Sequence, residues 1–77
     1  MKVTVELFGA LKSPFGRTFE LEMEENTTIG EVLKKDLKYE DKDIRYLVFL
    51  INDQVVSIDR VLKDKDSLRI LLPMGGG

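Results

Sequence analysis

From Lys2 to Phe8 the chain alternates, with Val3, Val5 and Leu7 on one parity and Lys2, Thr4 and Glu6 on the other. A period of two predicts a half-buried strand. The pattern returns over residues 18–23, where Phe19, Leu21 and Met23 oppose Thr18, Glu20 and Glu22. The intervening residues 9–16, containing Ser13-Pro14, read as a hairpin loop. The period then changes. Thr28-Ile29-Gly30-Glu31 fits a capping box, and Ile29, Val32, Leu33 and Leu37 follow at helical spacing. Lys34, Lys35 and Lys38 fall late in that segment, where cations complement the negative end of a helix dipole.

After an acidic loop, residues 46–51 (Tyr-Leu-Val-Phe-Leu-Ile) are apolar on both parities, as in a strand covered on at least part of both faces. Asn52-Asp53 marks a turn, Val55 and Val56 a short return strand, and residues 67–72 resume alternation with Leu68, Ile70 and Leu72 inward. Residues 59–66 between them are largely polar apart from Val61 and Leu62. The apolar face of such a sheet and the apolar stripe of one helix must cover each other. The predicted fold is α+β: a β-grasp, with a mixed sheet of four to five strands and one main helix packed on one face. If the first and last strands are neighbours, Phe8 and Leu71 share the helix-free face, and clustered apolar side chains there would mark an interface.

Seventy-seven residues allow one domain, near the lower limit for a single hydrophobic core. Cysteine and histidine are both absent. That excludes a disulfide framework and the usual zinc patterns, and it removes the commonest general base and the thiol nucleophile. No metal site is expected, and an autonomous enzyme is disfavoured. Asp64 and Asp66 sit in a turn without an evident partner base, so they make poor catalytic candidates.

Twelve basic and fourteen acidic residues leave a net charge of -2, without the basic stripe that nucleic acid demands. Glu20, Glu22, Glu24 and Glu25 form one acidic group and Glu40, Asp41 and Asp43 another. Either reads as solvated surface or as a means of steering a basic partner. The longest apolar run is too short to span a membrane, and the amino terminus has no signal-sequence pattern, so no membrane association and a cytoplasmic location are expected.

The chain ends on Gly75-Gly76-Gly77. Residues 1–72 are assigned to the folded domain and residues 73–77 to a flexible glycine tail. Lacking Cβ atoms, such a tail can thread a passage too narrow for ordinary side chains. Extended, its five residues would reach roughly 17 Å beyond the last strand. Pro73 stiffens the exit, and Met74 offers an adaptable apolar contact.

Residues 62–77, Leu-Lys-Asp-Lys-Asp-Ser-Leu-Arg-Ile-Leu-Leu-Pro-Met-Gly-Gly-Gly, resemble the carboxyl-terminal signature of the MoaD/ThiS family of ubiquitin-like sulfur carriers. The opening Leu7-Phe8-Gly9-Ala10-Leu11 is similar to that family's first strand and loop. One departure stands out: Lys65 occupies the position between Asp64 and Asp66 where the family usually has glycine. The resemblance implies a carrier, not a catalyst. Gly77 would be the residue whose carboxylate is activated, and Gly76 the glycine preceding it. An activating adenylyltransferase of the MoeB/ThiF type, resembling ubiquitin-activating enzymes, would use ATP to make an acyl adenylate there, with no cofactor bound by the carrier itself. Sulfur would then replace the adenylate to give a thiocarboxylate.

Pro73 before the glycines and the acidic turn favour the small subunit of molybdopterin synthase, partnered by a large subunit of the MoaE type. Phe8, Leu71, Pro73, Met74 and Gly75 are the residues expected to meet these partners. Three alternatives share the activation step: a thiamin-pathway carrier, a transfer-RNA thiolation carrier and a ubiquitin-like protein modifier. A β-grasp module that binds noncovalently through a sheet edge or the helix-free face is an alternative of another class.

Overall fold

The computed structural model describes residues 1–11 and 13–73. Five strands, β1 (Lys2–Phe8), β2 (Thr18–Glu22), β3 (Val48–Ile51), β4 (Gln54–Val56) and β5 (Ser67–Leu71), form one sheet in the order β2-β1-β5-β3-β4. The first and last strands run parallel in its interior, and every other pairing is antiparallel. The fold is a β-grasp. Val3, Val5, Leu7, Leu68 and Ile70 from the central strands form one buried cluster with Ile29, Val32, Leu33 and Leu37 from the helical segment. Both predicted apolar parities therefore face the core.

The helix begins as its capping box predicts. Thr28 Oγ1 accepts from the Glu31 amide at 3.3 Å, and Glu31 Oε1 accepts from the Thr28 amide at 3.2 Å. The next free donors are met by the loop that crosses above them, Ile29 N–H by Arg60 O and Gly30 N–H by Ile58 O. The backbone hydrogen bond to Glu31, with Lys35 close by, holds its carboxyl below the ordinary range.

Two features depart from the sequence expectation. The α-helix proper, α1, covers only Ile29–Glu31 and continues as a π-helix over Val32–Asp36, closed by Leu37 N–H to Val32 O. The wider turn keeps Ile29, Val32, Leu33 and Leu37 all on the core. The acidic segment expected as a loop instead forms a second short helix, α2 (Asp41–Ile44). Its carboxylates suit a helix amino terminus: Asp43 Oδ2 accepts from the Glu40 amide, and Asp41 pairs with Lys34 at 2.7 Å, which lowers the Asp41 pKa. This turn takes the amides of Arg45 and Leu47 for Asp41 O and Ile44 O. The strand predicted over 46–51 therefore starts only at Val48.

Two turns fix the sheet register. Asn52 and Asp53 both have positive φ, 51° and 69°, as a two-residue type I′ hairpin between β3 and β4 requires. Before β5, the Lys63 amide donates to Asp66 Oδ2 and the Lys2 amide to Asp64 Oδ1, each at 2.8 Å. Asp66 therefore caps the turn, and Asp64 ties the turn to the start of β1. Lys65 between them adopts φ 70°, the left-handed conformation that glycine occupies without strain.

Replacing Lys65 by glycine is expected to stabilise the fold by about 0.5–1 kcal/mol, since relief of left-handed strain exceeds the entropy glycine adds to the unfolded chain. Urea unfolding of both proteins measures it, and an equal or lower midpoint contradicts it. Acid unfolding gives a second check. The depressed Glu31 and Asp41 pKa values contribute stability above the ordinary carboxylate range, and that contribution is lost as pH falls through the folded values. The Glu31→Gln variant should lose stability relative to the parent at neutral pH and converge with it in acid.

Candidate functional site: the exit of the last strand

The last strand lies between β1 and β3, so its carboxyl end leaves the sheet where neighbours hold it on both sides. Phe8 and Leu71 are register partners in the parallel pair, and Leu72 N–H donates to Phe8 O at 3.1 Å. Phe8 is 41% exposed, whereas Leu71 is half-buried. Val48 is the partner of Leu71 on the other side, so Phe8, Leu71 and Val48 form a row across three strands on the helix-free face. Leu50 and Val55 pair one row further along, with Val55 72% exposed.

Sequence reasoning singled out Phe8 and Leu71 but not Val48, Leu50 or Val55. Their signal was the double apolar parity of residues 46–51. Arg69 lies in the same face and is held on both sides, by Glu6 at 3.3 Å and by Asp53 at 3.0 Å. This clamp stands next to the apolar row and keeps a charge from folding over it.

Gly9 shapes the exit. Its φ is 93°, and a Cβ there would lie 2.8 Å from Leu72 O and 3.2 Å from Leu72 Cβ. The loop can hug the departing chain only because position 9 has no side chain. Arg17 Nη1 fastens this loop by donating to Gly9 O at 2.7 Å. On the side facing α2, a cleft of about 550 Å³ opens beside Leu72, walled by Leu11, Tyr39 and Tyr46. Burial raises the Tyr39 phenol pKa, opposed by Arg17 and reinforced by Asp43.

Pro73, the last described residue, is exposed just past this exit. Met74, Gly75, Gly76 and Gly77, named from the sequence as tail and reactive end, lie outside the described residues, as does most of the segment assigned to a separate tail. Among the described residues, no helix is long and apolar enough to cross a membrane, and no group of three acidic residues could hold a metal ion.

The profile of the ThiS family matches residues 5–77. The chain belongs to the ThiS family. No curated protein matches it in sequence. Among solved structures, small archaeal modifier protein 1 of Haloferax volcanii superposes with a TM-score of 0.71 at 19% identity, over 100% of both chains. A second structure of that protein gives 0.69 at 18% identity, over 95% of this chain and 98% of that one. A chain from the complex of subunits 1 and 2 of the molybdopterin-converting factor of Helicobacter pylori gives 0.68 at 23% identity, again over 100% of both. These likenesses agree with the β-grasp fold.

Gly9→Ala is expected to cost about 1–2 kcal/mol through left-handed strain, with a further loss from the contact with Leu72. Urea unfolding reads the loss, and amide shifts of Leu71 and Leu72 should move more than those of β4. An alanine variant as stable as the parent contradicts the close packing.

Proposed function

We propose that the chain is a sulfur carrier whose Gly77 carboxylate is adenylated and then converted to a thiocarboxylate that donates sulfur in molybdopterin synthesis. The observation that carries the reading is the ThiS-family match, which extends to Gly77 itself. The chemistry follows from the terminus. A carboxylate is ionised at neutral pH, and its charge repels nucleophiles. Attack by the carboxylate on ATP releases pyrophosphate and leaves an acyl adenylate. A sulfur donor then attacks the carbonyl and expels AMP. Side chains at positions 76 and 77 would crowd that carbonyl, which gives Gly76 and Gly77 their role. Without cysteine, the carrier has no thiol of its own to intercept the activated end.

On this reading the folded domain is a handle, and the catalysis belongs to its partners. An activating adenylyltransferase of the MoeB/ThiF type supplies the ATP chemistry, and a MoaE-type large subunit accepts the sulfur in the cytoplasm. Phe8, Leu71 and Val48 supply the apolar docking row, and Pro73, Met74 and Gly75 complete the partner-binding set. The complex of two molybdopterin-converting subunits supports this partnership through the shared fold. A second reading, a modifier joined to lysines of other proteins, draws its support from the similarity to small archaeal modifier protein 1. Both require the same activation.

Removal of Gly77 is expected to abolish ATP–pyrophosphate exchange catalysed by the cognate activating enzyme while leaving the urea midpoint unchanged. Phe8→Ala should instead raise the KM for the carrier by roughly tenfold, the loss expected for one truncated interface anchor. Undiminished exchange by the protein lacking Gly77 would refute the carrier reading.

A further inference from the structure

The sheet has a free edge along β2, and the hydrogen-bond phase shows what that edge offers. Met1 and Met23 exchange backbone bonds at 2.8 Å, and Leu7 N–H donates to Arg17 O. The odd residues of β1 therefore bond to β2. Its even residues turn to the other side, where Thr4 N–H meets Asp66 O and Lys2 O accepts from the Lys65 amide. In the antiparallel register, Lys2, Thr4 and Glu6 stand opposite Glu22, Glu20 and Thr18. These are the pairs that share no ladder bonds, so Thr18, Glu20 and Glu22 direct their backbone N–H and C=O groups outward from the sheet.

The side chains along this edge are of two kinds. Glu20 and Glu22 are exposed on the helix-free side, with Glu24 and Glu25 just beyond the strand. Among the described residues, none of these four carboxylates takes part in an ion pair. On the opposite side Phe19 and Leu21 are half-buried, and the ring of Phe15, 45% exposed, packs on Phe19 at 5.1 Å. The edge thus presents carboxylates on one face and a partly open apolar shelf on the other.

We propose that the outer edge of β2 docks an extended segment of a partner protein in which apolar residues alternate with lysine or arginine, adding it as a sixth strand. Backbone pairing supplies the attachment, and the alternation supplies the selection. The basic positions meet Glu20 and Glu22 as cross-strand pairs, and the apolar positions extend the shelf of Phe15, Phe19 and Leu21. A second copy of this chain is a poor occupant, because edge-to-edge pairing would set Glu20 and Glu22 against the same residues of the other copy. Since β1 separates β2 from β5, a strand docked here leaves the Leu72 exit uncovered. The edge can therefore hold a partner while the carboxyl end is engaged elsewhere. The proposal goes beyond the carrier reading and does not rest on it.

The test titrates the full chain, labelled with nitrogen-15, with the peptide acetyl-Val-Lys-Val-Lys-Val-amide. The expected result is saturable shift changes centred on residues 18–22, with slowed hydrogen exchange at the Thr18, Glu20 and Glu22 amides. Two control peptides separate the causes. The glutamate version should bind roughly tenfold or more weakly, and a version N-methylated at both lysine backbone nitrogens, equal in charge, should lose the exchange protection, because those nitrogens face Glu20 and Glu22 in the ladder. The double variant Glu20→Lys, Glu22→Lys should reverse the preference between the lysine and glutamate peptides. Absence of binding, equal protection by the N-methylated peptide, or shifts centred on the Asp41–Ile44 helix would each overturn the proposal.

Discussion

The parallel pairing of β1 with β5 is the constraint on which the rest of the structure hangs. It joins segments some 62 positions apart, as in the bond from the Lys2 amide to Asp64, and it lies at the centre of the sheet. Each side of β1 is committed by the phase of its hydrogen bonds, odd residues to β2 and even residues to β5 or the turn before it. Val3, Val5 and Leu7 then have only the helix-covered face available. The core follows, because Leu68 and Ile70 join them on that face and leave Phe8 and Leu71 on the other.

The same pairing decides where the chain end leaves. A terminal strand at the sheet's edge would fray and carry its tail with it. Here the last strand is held from both sides, and Phe8 O and the bare Gly9 fix Leu72 within one residue of Pro73. The chain thus leaves the sheet at Leu72 from a defined point. The acidic turn contributes by locking the start of β5 to the start of β1 through Asp64, while Asp66 caps the turn internally. The strain at Lys65 is the cost of a turn geometry made for glycine.

Most of this architecture is legible in the sequence, because burial on one face of a strand or helix writes its period into the residues. The alternations around Val5, Phe19 and Ile70 and the Thr28–Glu31 capping box all correspond to structure. What stays hidden depends on competition between local partners. The segment around Asp41 shows charges suited to either a loop or a helix start, and only the amides taken by its turn shorten the strand expected from Tyr46. The π-helical stretch is equally silent, since Val32, Leu33 and Leu37 suit either winding. At the site, Phe8 and Leu71 are readable from parity once β1 and β5 are neighbours, whereas the role of Gly9 depends on a contact with Leu72 far away in sequence. Val48 is ambiguous for another reason: a strand apolar on both parities does not say which residues a partner would meet.

The central claim concerns one atom at the end of the chain. It is tested most directly by the intact mass of the protein isolated from its native cell under conditions that preserve thioacids, with fragmentation to locate any change. The account predicts a fraction in which one oxygen of the Gly77 carboxylate is replaced by sulfur, increasing when the accepting subunit is removed. A terminus that carries only oxygen, even with the sulfur-accepting partner absent, would contradict it.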